Sequence, residues 1–212
     1  MVQSLYSKLY SPTTIASSRV VERFTGDTID ERWSTYNLAG GPAGLATMSD
    51  SIDGGLNIDT NDTDSNLLFG ISFNNIRHYS PTASKLICIF RQNTDNVNYS
   101  SIVSLDEDSS LGTAGFIHVG QNTAANASFY MIRSDDGTSE SNTATSVALD
   151  TSYHKHEVET FSTSIQYSID GLIRITKGTN RPTLKLAPAL FVQNLEATAH
   201  DADYLYLEVY NK

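Results

Sequence analysis

The chain has 212 residues, 39% hydrophobic and only 18% charged, with fourteen Lys and Arg against twenty-four Asp and Glu for a formal charge of -10. This length supports one sizeable core, and all-β sandwiches of this size commonly fold as a single domain. The carboxylate excess repels a phosphate backbone, which excludes nucleic acid. No apolar run approaches the ~20 residues that span a bilayer, and no apolar signal segment stands near the start, so no membrane partner and no classical export are expected.

Residues 1–18 read as an N-terminal arm. Leu5, Tyr6, Leu9, Tyr10 and Ile15 are spaced among small polar residues, and Pro12 interrupts any regular element. They are too many for a linker and too few to bury one another, so they are expected to dock on the domain or on a neighbouring subunit.

From Arg19 to Lys212 short apolar runs recur between turn signals. Val20 to Phe24, Leu56 to Ile58, Leu67 to Phe73, Lys85 to Arg91, Ser100 to Leu105, Gly115 to Val119 and Ser128 to Arg133 read as strands. Regular spacing without amphipathic helices predicts an all-β sandwich or barrel. The single cysteine, Cys88, lies in the apolar run 86–90 and reads as a buried structural residue. Ile165, Tyr167 and Ile169 share one face of a strand ending in Asp170-Gly171, a type I′ hairpin signal, because both central residues of that turn need positive φ. The last strand, Asp203 to Tyr210, alternates: Leu205, Leu207 and Val209 are expected in the core, with Tyr204, Tyr206 and Tyr210 on the other face.

Phe24 to Trp33, Asp53-Gly54-Gly55-Leu56, Tyr153 to Glu157, the Asp170-Gly171 hairpin, Arg181-Pro182-Thr183, Pro188 to Asn194 and the final strand follow one another in an order that resembles the concanavalin A-like lectin and glucanase superfamily. The resemblance spans residues 19–212 and implies a two-sheet antiparallel jelly roll. Asp53-Gly54-Gly55 with Phe73 to Thr82 is also similar to modules of tailed-virus structural proteins, which implies a place on a capsid or tail.

Glucanases of this fold carry Glu-x-Asp-x-x-Glu on one strand, since alternate residues share a face and flank the glycosidic bond. That pattern is missing. Asp106-Glu107-Asp108 precedes Ser109-Ser110 and reads as a turn, while Glu157 and Glu159 read as the exposed side of a strand. His154 and His156 have the i, i+2 spacing of two metal ligands, but no third ligand is visible. Asp59, Asn61, Asp62 and Asp64 have the oxygen-rich composition of a calcium loop without the EF-hand glycine and glutamate; a solvated turn explains them as well. Phosphate-binding and nucleophile-elbow motifs are absent.

Tyr204, Tyr206 and Tyr210 could offer sugars an aromatic face, although packing against a sheet or an interface explains them equally. The sequence therefore leads to a non-catalytic virion structural protein, a capsid decoration or tail component assembling through its arm with copies of itself or other virion proteins. It could also bind surface glycans, with no cofactor beyond the calcium candidate. The alternatives are a free carbohydrate-binding module or lectin, and a glycan hydrolase or lyase. Deleting residues 1–18 is expected to leave the domain folded with nearly unchanged melting and to weaken assembly. A truncated chain that unfolds while the full chain stays monomeric in analytical ultracentrifugation overturns that expectation.

Overall fold

The computed structural model describes residues 19–25, 28–37, 44–48, 54–61, 68–73, 78–93, 99–107, 115–120, 128–196 and 198–212. Among them are fifteen strands and no helix. In chain order these are β1 (Val20–Glu22), β2 (Ser34–Asn37), β3 (Leu45–Met48), β4 (Leu56–Asp59), β5 (Leu68–Ser72), β6 (Ser84–Gln92), β7 (Tyr99–Asp106) and β8 (Phe116–Gly120). They continue with β9 (Phe129–Asp135), β10 (Glu140–Ala148), β11 (His154–Thr160), β12 (Ile165–Ile169), β13 (Leu172–Lys177), β14 (Ala187–Asn194) and β15 (Asp201–Asn211).

Two antiparallel sheets form a sandwich. One runs β13-β12-β11-β6-β15-β4-β3, with β1 pairing beside β4 on β15; the other runs β10-β9-β8-β7-β14-β5-β2. Strands β6 and β12 alternate buried and part-buried residues, as strands with one face on the core should. Every residue of β5, β7 and β8 is buried, so the middle of the seven-stranded sheet is covered on both faces.

The hairpin is as expected: Asp170 (φ 53°) and Gly171 (φ 78°) occupy the two positive-φ positions between β12 and β13. Strand β10 was not legible. Its sequence Glu-Ser-Asn-Thr-Ala-Thr-Ser-Val-Ala is polar, and among the described strands it pairs with β9 alone, at the edge of its sheet, where little apolar area needs covering.

The last strand corrects the sequence reading. Against β6 its register shifts between Tyr204 and Tyr206, a bulge that inserts Leu205 as an extra residue. A one-residue insertion inverts the alternation. Ala202 and Tyr204 point inward before it, Leu207 and Val209 after it, and Leu205 is only part-buried. Tyr204 is therefore a core residue. Its ring stacks on Phe90 at 5.3 Å, and its hydroxyl donates across the sandwich to the Phe191 carbonyl at 3.1 Å, with the Ile102 carbonyl 3.4 Å away. Burial holds this hydroxyl protonated by pushing its pKa well up. Tyr204→Phe is expected to cost about 0.5–1.5 kcal/mol through the lost hydrogen bond. Tyr204→Ala should cost about 3–5 kcal/mol because a cavity is added, and urea unfolding of the two variants reads the difference.

Candidate functional site

Strand β7 sends Val103 and Leu105 into the main core, while Ile102 joins Leu68, Ala189 and Phe191 in a second apolar cluster on the opposite, outer face of the seven-stranded sheet. Period 2 then places Ser100, Ser104 and Asp106 on that outer face with Ile102. Ser104 pairs with His118 of β8, which pairs with Arg133 of β9; Asp106 pairs with Phe116, which pairs with Asp135. Two neighbouring rows of the sheet thus form a polar stripe framed by apolar residues.

The stripe is internally bonded. Ser104 Oγ donates to Asp106 Oδ2 at 2.5 Å, and His118 Nε2 lies 3.0 Å from Asp106 Oδ1, where it serves as donor to the carboxylate. That leaves Nδ1 as the second imidazole site. It is buried and has no hydrogen-bond partner among the described residues. The ring is stacked on Phe116 at 3.9 Å and meets Phe191 edge-on at 5.3 Å. Arg133 lies over Phe116 at 5.4 Å and grips Glu140 with two hydrogen bonds of 2.9 and 2.8 Å, which hold the Glu140 carboxyl below its usual range.

Glu107 turns away from Asp106. Its Oε1 accepts the backbone N–H groups of Thr183 and Leu184, both at 2.5 Å, and thereby anchors the segment leading into β14. The expected turn at 106–108 is corrected accordingly: Asp106 closes β7 and Glu107 is a buried anchor, while Asp108 lies outside the described residues. Alternation of Ser100, Ile102, Ser104 and Asp106 against Val103 and Leu105 was the available signal. Nothing local to β7 pointed to His118.

Other residues singled out from sequence are dispersed. Tyr204 is in the core and cannot stack on a sugar. Tyr206 and Tyr210 are part-buried on the outer face of the eight-stranded sheet. Tyr206 donates to Glu208 at 2.6 Å; Arg19 pairs with Glu208 at 2.7 Å and lies 5.8 Å over the Tyr210 ring. Glu157 and Glu159 share Lys85 on that face, at 3.1 and 3.9 Å. His154 bonds two aspartates, and buried His156 bonds the Tyr167 hydroxyl. Asn61 donates its N–H to Asp59 Oδ1 at 2.7 Å in a local turn; Asp62 and Asp64 lie outside the described residues. Among the described residues no group of three or more His, Cys, Asp or Glu could hold a metal. Leu5, Tyr6, Leu9, Tyr10 and Ile15 also lie outside the described residues. Cys88 is fully buried.

No family model matches the chain, and no curated protein matches it. Solved structures do. A β-glucanase of Bacillus licheniformis is 12% identical over 92% of this chain and 98% of its own, with a TM-score of 0.64. A structure described with endo-acting O-glycanases of the human gut microbiota that initiate mucin breakdown is 13% identical over 91% and 98%, with a TM-score of 0.68. A pseudo β-1,3-glucanase of Mycobacterium tuberculosis is 13% identical over 91% and 98%, with a TM-score of 0.61.

The fold is thus the jelly-roll sandwich of glycan-related proteins, and likeness to tailed-virus modules gains no support. The expectation that the chain is no enzyme is corrected: it rested on a missing motif, whereas the structures sharing this fold are mostly glycoside hydrolases. At such identities the likeness shows the fold alone. Replacing Glu107 by Ala, which strands two backbone N–H groups, is expected to cost about 1–3 kcal/mol. Tyr206→Phe, at a part-exposed site, should cost no more than about 1 kcal/mol, and chemical denaturation ranks the two.

Proposed function

We propose that this chain is a glycan-active jelly roll that takes an oligosaccharide on the outer face of its seven-stranded sheet, with Asp106 as the carboxylate meeting the sugar. The observation that carries this reading is the Ser104–Asp106–His118 network, a polar constellation on a sheet face where the core has no use for one. Its fold, shared with glycan hydrolases, supports the same reading.

Two donors fix the Asp106 carboxylate, and its bond to Nε2–H leaves Nδ1 as the imidazole's remaining site for a hydrogen bond. A hydroxyl is the group such a nitrogen accepts. Cleavage of a glycosidic bond calls for a second carboxyl group, about 5–5.5 Å from the first in retaining and 6.5–9.5 Å in inverting enzymes. Asp135 stands in the same row two strands from Asp106, roughly 10 Å away by strand spacing, and is the nearest such group in that row. Ser104, Asp106 and His118 are buried, so a sugar reaches them only when the residues packed over the stripe yield.

Titration calorimetry and a reducing-end assay with neutral, acidic and mucin-type oligosaccharides test the proposal. Asp106→Asn and His118→Gln are expected to weaken binding, and turnover with it, by about tenfold or more, as losing a hydrogen bond to a charged group does. Wild-type protein that neither binds nor cleaves any of these glycans, or natively folded variants that behave as wild type, overturns it.

A further inference from the structure

We propose that His154 is a proton-operated latch that ties the loop after β10 to the β12–β13 hairpin and so joins the two sheets at one rim of the sandwich. His154 opens β11 in the eight-stranded sheet, on the same strand face as His156, Val158 and Thr160, which point into the sandwich. Its Nδ1 lies 2.6 Å from Asp170 Oδ2 in the hairpin turn, and its Nε2 lies 3.1 Å from Asp150 Oδ1 in the connection leaving β10. A carboxylate accepts and does not donate, so both bonds form at once only when both ring nitrogens carry hydrogen. The geometry is that of an imidazolium between two carboxylates.

The hairpin contributes Asp170, whose other oxygen accepts the Lys155 N–H at 3.0 Å and whose own N–H donates to the Lys155 carbonyl at 2.9 Å. The connection after β10 contributes Asp150, which also caps Ser152 N–H at 2.7 Å. From β9, Tyr130 presents its ring edge-on at 5.4 Å and sends its hydroxyl to the Asp150 carbonyl at 3.4 Å. Strand β6 sets Phe90 opposite His154, and within β11 His156 lies 6.3 Å away, its Nδ1 2.7 Å from the Tyr167 hydroxyl of β12.

Partial burial opposes charge on His154, but the bonds to Asp170 and Asp150 and their negative charge outweigh it and raise its pKa above 6.5. A raised folded-state value means that the latch contributes fully below 6.5 and is lost as pH rises through the folded value. Both aspartates move the other way: burial raises each, yet backbone N–H groups and His154 bring each below 3.8, so their share is present above 3.8 and lost as pH falls through the folded values. The latch is closed between these limits. His156 opposes it, since burial lowers its pKa to about 3 and its contribution is present above 6.5 and lost below.

Imidazole NMR titration with amide hydrogen exchange tests the latch. His154 is expected to hold two N–H protons at mildly acid pH, to titrate above 6.5, and to release protection of the Lys155 and Asp170 amides as it deprotonates, after correction for intrinsic exchange. Asp150→Asn, at a half-exposed side chain that leaves the core alone, and Asp170→Asn should each shift the His154 midpoint downward. A midpoint at or below 6.5, or protection that ignores the His154 titration, overturns the proposal. Neither outcome depends on whether a glycan binds.

Discussion

The hydrogen bond from Tyr204 to the Phe191 carbonyl spans the gap between the sheets, and the placement of much of the last strand depends on the bulge that makes it available. Strand β15 sits between β6 and the pair β4 and β1, so its phase decides which of its side chains reach the seven-stranded sheet. With Leu205 inserted, a tyrosine fills the centre and satisfies its hydroxyl on a backbone carbonyl of β14. A buried hydroxyl lacking such a partner costs more than the bond itself contributes, which makes this position intolerant of a shift in register. The residues of the same strand that face away from the core, part-buried Tyr206 and Tyr210 with buried Glu208 between them, are bound to Arg19 and to each other.

The seven-stranded sheet has a different logic. Its central strands are buried on both faces, so their outer-face side chains are packed groups in a low-dielectric setting, where polar bonds are strong and orphan groups are expensive. Ser104, Asp106 and His118 satisfy one another almost completely. The exception is His118 Nδ1, a buried nitrogen left without a partner among the described residues.

Two histidines separated by one residue on β11 show how position on a strand sets chemistry. His154, at the rim, gathers two carboxylates and holds a proton more tightly; His156, one pleat further in, loses solvent entirely and is kept neutral. The identical side chain therefore contributes stability in opposite pH ranges, and the boundary between them is the mouth of the sandwich.

The sequence by itself determined the fold class, most of the strands and the hairpin at Asp170-Gly171, because period-2 alternation and positive-φ turn residues are local properties of the chain. It did not reveal β10, whose polar edge position leaves no apolar pattern, nor the bulge at Leu205, since one inserted residue reverses inward and outward without altering composition. Strand β7 was visible from Ser100 to Leu105, yet Asp106 read as a turn because its partner His118 lies twelve residues on and across a strand pair. The three-dimensional pairing alone decided that Asp106 faces His118 while Glu107 faces away. It also brought His154 to Asp170, sixteen residues later, because hydrogen bonds between strands join positions whose nearness is set by register and not by distance along the chain.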